Sequence, residues 1–114
     1  MRKFITILLL FITSTCFSQD LCTEGLCVVQ FNASFNESNS VKWLNELSDC
    51  EIDNVDIAAD ARWASEYKIV VVPTLVIFNN GEEVKRFQAN IMMSMEATRG
   101  QVQEAIDEII MEAF

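Results

Sequence analysis

The apolar positions of this chain change period several times, and each change marks an element. Residues 27–31 form a short, mostly apolar run containing paired valines, the pattern of a strand covered on both faces and set centrally in a sheet. Val41, Leu44 and Leu47 then recur every three residues with Trp43 beside them. That spacing predicts an amphipathic helix opening at Ser38 or Ser40, either of which can accept a backbone N–H. Ile52, Val55 and Ile57 mark a second strand, and Asp60 is placed to cap a brief helix carrying Trp63, Ala64 and Tyr67.

The second half follows with sharper signals. Pro73 cannot sit inside a helix without losing a backbone bond, and the β-branched run at residues 69–72 argues for extended chain before it. Residues 74–78 read as a buried strand. Asn79-Asn80-Gly81 supplies residues tolerant of positive φ, as a tight hairpin requires, and residues 82–87 return antiparallel. Thr98-Arg-Gly-Gln101 is a capping-box pattern, and Val102, Ile106, Ile109, Ile110 and Ala113 continue at helical spacing. Parallel strands joined through helices, then a hairpin, then a last helix, make an α/β domain with a central mixed sheet of about four strands flanked by helices.

Residues 1–18 have the pattern of a secretory signal peptide: Arg2 and Lys3, then nine residues from Phe4 to Ile12 interrupted only by Thr6, then small residues before a cut. The apolar run is about half of the 20 residues a membrane span needs, so no span is expected in the mature chain. Residues 19–114 are read as one domain. Export to a periplasm or the extracellular space is the expected destination.

Charge narrows the partners. Without Arg2 and Lys3, six Lys and Arg face seventeen Asp and Glu, a net charge of −11. Such a surface repels phosphate backbones, so no nucleic acid partner is expected. The chain has no histidine, which removes Ser/His and Cys/His catalysis and the commonest zinc ligand, and no glycine-rich phosphate loop. No cofactor and no metal are expected. Glu104, Asp107, Glu108 and Glu112 on the last helix are read as a solvated face.

Cys22, Cys27 and Cys50 remain after the signal, an odd number in a compartment where disulfides persist. Glu24-Gly25 is a turn that can bring Cys22 and Cys27 together as a structural staple. Cys50 lies between a helix and a strand beside the one starting near Cys27, which leaves a Cys22–Cys50 bridge open.

Two stretches carry a resemblance: Val28-Val-Gln-Phe-Asn-Ala-Ser-Phe-Asn-Glu-Ser-Asn39, and Tyr67-Lys-Ile-Val-Val-Val-Pro-Thr-Leu-Val-Ile-Phe-Asn-Asn-Gly81 followed by Glu82-Glu83-Val84. Together they resemble the thioredoxin family, over roughly residues 27–114. The resemblance implies a thioredoxin-like fold, a cis peptide before Pro73, and an active site where the first strand meets the helix. In that family the turn reads Trp-Cys-Gly-Pro-Cys; this chain reads Phe35-Asn36-Glu37-Ser38-Asn39, with asparagine at both redox positions. A carboxamide neither attacks a disulfide nor cycles electrons. Asn36 is read as a helix cap. The supporting residues differ too. The family's buried aspartate corresponds to Gln30, its neighbouring lysine to Asn54, the first tryptophan of the motif region to Asn32, and a glycine after the hairpin to Gln88. The family's extra N-terminal strand and helix have no room before Cys27.

The reading that follows is an exported thioredoxin-like protein, redox-inactive at the usual site, that binds a protein or peptide. Redox-dead members of the family serve as binding modules, and the resemblance places the surface at Phe35, Asn36, Glu37, Ser38 and Asn39 with Val72, Pro73 and Thr74. Enzyme activity is not expected at that site. Two alternatives differ in class: a thiol–disulfide oxidoreductase using Cys22 and Cys27, and a structural subunit of an assembly. The methionines at 92, 93 and 95 are read first as fillers of core gaps and second as an adaptable binding surface.

Overall fold

A computed structural model describes residues 22–112. The signal peptide expected at residues 1–18 and the last helical position, Ala113, lie outside them. Strands β1 (Leu26–Asn32), β2 (Glu51–Asp56), β3 (Thr74–Asn79) and β4 (Glu82–Gln88) form one mixed sheet in the order β2-β1-β3-β4. β1 runs parallel to β2 and antiparallel to β3, and β3 pairs antiparallel with β4. Helices α1 (Arg62–Tyr67) and α2 (Arg99–Glu112) flank it. The expected architecture is thus present, with β1 and β3 as its two central strands.

Strand periodicity divides the core between two faces. Val28, Leu75 and Ile77 point to one side and pack with Val102, Ala105 and Ile106 of α2 and with Val41, Leu44 and Leu47. Val29, Phe31, Val76 and Phe78 point to the other, where Trp63 and Tyr67 of α1 cover them. Tyr67 lies edge-on to Phe78, with ring centroids 5.6 Å apart. Ile52 and Val55, three residues apart on β2, serve opposite faces.

Two sequence signals appear in full. The β3–β4 turn places Asn80 at φ 54° and Gly81 at φ 88°, both left-handed. At the start of α2 the capping box is reciprocal: the Gln101 N–H donates to Thr98 Oγ1 (3.2 Å) and the Thr98 N–H to Gln101 Oε1 (2.9 Å).

The helix expected from Ser38 or Ser40 through Leu47 is not formed. Two 3₁₀ stretches, Ser34–Asn39 and Leu44–Glu46, stand there, separated by an extended Ser40 with ψ 148°. The break falls where β1 reaches the chain. Just after the extended Ser40 the Val41 N–H donates to Gln30 Oε1 of β1 at 2.8 Å, which fixes the backbone where the helix was expected to begin. Val41, Leu44 and Leu47 are nevertheless all buried in one cluster with Val28, Ile77 and Ile106.

Candidate functional site

The site grows from the C-terminal end of β1. Asn32 closes the strand, Ala33 continues extended at φ −119°, and the chain turns through Ser34–Asn39. Asn36 sits in the middle of that turn with a non-helical φ of −112°, 4% exposed. It is not the helix cap that the sequence suggests. Its Nδ2 faces three acceptors: Asn32 Oδ1 (3.2 Å), the Met93 carbonyl (3.2 Å) and, at a longer 3.4 Å, the Val72 carbonyl. Its Oδ1 accepts from Asn39 Nδ2 at 2.9 Å. One carboxamide therefore ties the turn to the loop before Pro73 and to the loop after β4.

The tie extends below. Asn32 Nδ2 donates to the Asn36 carbonyl (3.2 Å) and to Ser40 Oγ (3.1 Å). Gln30 couples Val41 to β2, since its Nε2 donates to Asn54 Oδ1 at 2.8 Å. The two positions that correspond to the family's aspartate and lysine are in contact here as neutral amides. Asn32, Asn36 and Asn39 form one bonded group and Gln30 and Asn54 a second, with no ionisable member in either, and among the described residues no buried side-chain nitrogen or oxygen lacks a partner. Such an arrangement holds loops in place; it has no group able to carry electrons, and neutral amides carry no proton at ordinary pH.

The remaining expected residues separate into buried supports and exposed ones. The Val72–Pro73 peptide is cis, and both residues are buried. The Pro73 carbonyl accepts from the Ala89 N–H (3.1 Å), and Thr74 Oγ1 donates to the Val71 carbonyl (2.7 Å). Glu37, Ser38 and Asn39 face solvent. Phe35 is 74% exposed, Val70 80%, Ile91 96% and Met92 75%. These apolar side chains belong to the three loops that Asn36 joins.

Asn90, which the sequence does not single out, shapes the third loop. Its Oδ1 accepts the N–H groups of Met92 (2.9 Å) and Ser94 (3.1 Å), and its backbone N–H donates to the Ser94 carbonyl (2.9 Å). Met93 is at φ 62°. The expectation that these methionines fill the core is met by Met95, which packs against the α2-side cluster, and corrected for Met92, which projects into solvent. An asparagine beside a run of exposed apolar residues was the signal available.

Beside the turn lies an open cavity of about 410 Å3, lined by Gln30, Asn32, Ser34, Glu37, Asn54 and Asp56 among others. Asp56 Oδ1 accepts from the N–H groups of Ser34 (3.2 Å) and Ala58 (2.9 Å).

The cysteines lie elsewhere. Cys22 and Cys27 are disulfide-bonded, with Cα atoms 5.9 Å apart, so of the two pairings the sequence leaves open it is this one that forms. The loop they close is held against the β3–β4 hairpin: the Gly25 N–H donates to Asn80 Oδ1 (2.8 Å) and the Asn80 N–H to the Gly25 carbonyl (3.0 Å). Cys27 is the second residue of β1, so at 3.3–3.4 Å per residue it is about 17 Å from Asn32 at the strand's end. Cys50 is a half-buried free thiol packed on the α2-side cluster, the sheet face opposite Cys27. Burial, and then the Asp49 carboxylate beside it, raise its pKa above the ordinary thiol value. Among the described residues no three His, Cys, Asp or Glu side chains are grouped to hold a metal, and no helix is long and apolar enough to cross a membrane.

Fold and site define a thioredoxin-fold protein whose exchange residues have been replaced by an amide network. The thioredoxin family model matches residues 9–99, and the chain belongs to that family. Among solved structures, it is similar to a single-site mutant of a thioredoxin from Halobacterium salinarum (22% identity, TM-score 0.60, covering 75% of this chain and 74% of that one). It is also similar to thioredoxins of Schistosoma mansoni (25% identity, TM-score 0.58, 75% and 78% covered) and Fasciola hepatica (25% identity, TM-score 0.54, 75% and 82% covered). No curated protein matches the chain.

Proposed function

We propose that this is an exported thioredoxin-like module, redox-inactive at the family's usual site, that binds a protein or peptide partner. One observation carries the reading. Asn36 fixes three loops to one another while Phe35, Val70, Ile91 and Met92 on those loops stay exposed. Loops tied to one another and presenting exposed apolar side chains suit binding without chemistry. Side chains rather than the backbone beside Pro73 carry the contact, because the Val72 carbonyl already accepts from Asn36. Export rests on the pattern of residues 1–18.

Partner capture from the exported fraction tests the reading, with Phe35→Ala beside the wild type. Retention that depends on Phe35 supports it, whereas a wild type that retains nothing, or a variant that retains as much, refutes it.

A second reading, exchange through Cys22 and Cys27, has the disulfide in its favour. Against it, Cys27 is 3% exposed at the start of a strand, with no helix N-terminus to stabilise its thiolate. Insulin reduction with dithiothreitol separates the two: turnover above background that vanishes in Cys22→Ser selects the exchange reading, and background rates in both select the binding one.

A further inference from the structure

The binding face proposed above has an acidic neighbour, and resting on that reading the two together specify the chemistry of the partner. Ser34 and Glu37, on either side of the exposed Phe35 in sequence, both line the cavity of about 410 Å3. The charged members of its lining are the carboxylates of Glu37 and Asp56; no Lys or Arg is among them. Its amides are occupied with one another, with Val41 and with Ser40. Asp56 uses Oδ1 for two backbone N–H groups, and its Oδ2 makes no hydrogen bond or ion pair within the described residues. The Glu37 carboxylate makes none there either. The bases nearest in sequence are turned to other work, Lys42 to the Ser38 carbonyl and Arg62 to Asp60.

A partner that covers Phe35 and extends over the neighbouring Ser34 and Glu37 strips water from these two carboxylates, and a carboxylate desolvated without a counter-charge opposes binding. A second copy of the exported chain, with six Lys and Arg against seventeen Asp and Glu, brings more of the same sign. We propose that the occupant is a cationic amphipathic segment of a different protein: its apolar side chains cover Phe35 and Met92, and an adjoining Lys or Arg enters the cavity to meet Glu37 and Asp56. The apolar contact supplies affinity and the ion pairs supply register and partner choice.

The test is selection from a library of random dodecapeptides displayed on phage, panned against the full chain at low salt. The expected result is enrichment of Lys or Arg within two positions of Leu, Ile, Met, Phe or Trp. The best peptide is then synthesised with citrulline in place of its Arg, or norleucine in place of its Lys. That neutral version should bind at least threefold more weakly, and Glu37→Gln should weaken the cationic peptide by about threefold, as for a partly exposed ion pair, but not the neutral one. Circular dichroism confirms that the variant is folded. Neutral or acidic motifs that still need Phe35 overturn the cationic partner while leaving the binding reading intact. Peptides indifferent to Phe35→Ala, or no enrichment at all, overturn both. A dimer of this chain that buries Phe35 in solution also overturns the proposal.

Discussion

The side-chain nitrogen of Asn36 donates to the carbonyl oxygen of Met93, 3.2 Å away and 57 residues further along the chain. The same nitrogen faces Val72 and Asn32, so removing it leaves several buried acceptors short of a donor. Asn36→Ala should therefore cost about 1–3 kcal/mol, the penalty of a buried polar group left unmade. Urea unfolding measures it. A variant as stable as the wild type would mean that the three loops are held by something else.

Restoring a thiol at that position should not restore its chemistry. The thiol introduced by Asn36→Cys would stand in a buried turn whose chain breaks to extended at Ser40, with no continuous helix behind it. Without that dipole, and with burial opposing the thiolate, it should titrate at or above about 8.5, the value of an unactivated cysteine. Iodoacetamide labelling against pH gives the number, and a midpoint well below about 7 would contradict the electrostatic account of the turn.

Gln30 and Asn54 share a hydrogen bond but differ in what depends on them. Gln30 is 4% exposed and also takes the Val41 N–H; Asn54 is at the surface. Gln30→Met strands the buried Val41 N–H and should cost about 1–3 kcal/mol, whereas Asn54→Ala should cost about 1 kcal/mol or less. Equal losses in chemical denaturation would show that the amide pair, rather than the β1-to-turn link, is what matters.

The Cys22–Cys27 bridge closes a short loop, for which the chain-entropy estimate is about 2 kcal/mol. Reduction should lower the melting temperature accordingly, and Cys22→Ser/Cys27→Ser should melt with the reduced wild type. A melt insensitive to dithiothreitol would indicate that the contacts of Gly25 with Asn80 suffice.

Glu83 accepts from Arg86 through both oxygens, at 2.7 and 2.8 Å, and Arg86 also donates to the carbonyls of Tyr67 and Lys68, linking β4 to the end of α1. The Arg86 hydrogen bonds hold the Glu83 carboxyl below its ordinary value of 4.5, against a smaller opposing effect of burial. A depressed folded pKa stabilises fully above the unfolded value and loses that contribution as pH falls through the folded one. Glu83→Gln should cost up to about 1 kcal/mol at pH 7, since the pair is partly exposed, and progressively less below pH 4.5. Thermal melts across that interval check it; a cost independent of pH would assign the effect to packing.

Local signals determined a great deal of this protein. Asn80-Gly81 sets the hairpin because only small or carboxamide residues tolerate both positive φ angles. Thr98 and Gln101 start α2 because each satisfies the other's backbone N–H, and the buried runs of β1 and β3 announce a sheet covered on two sides. The loss of both redox sulfurs was equally legible, because it is a matter of residue type. What only the tertiary structure decided involves partners distant in sequence. Gln30, eleven residues from Val41, holds the Val41 N–H just after the extended Ser40, where the helix was expected to begin, and a periodicity that reads as helix folds as two 3₁₀ stretches. Asn36 turns from a helix cap into a clasp because Met93 and Val72 bring carbonyls to it from 57 and 36 residues away. A hydrogen-bonding group takes whichever partner the packed chain delivers, and no local pattern encodes that choice.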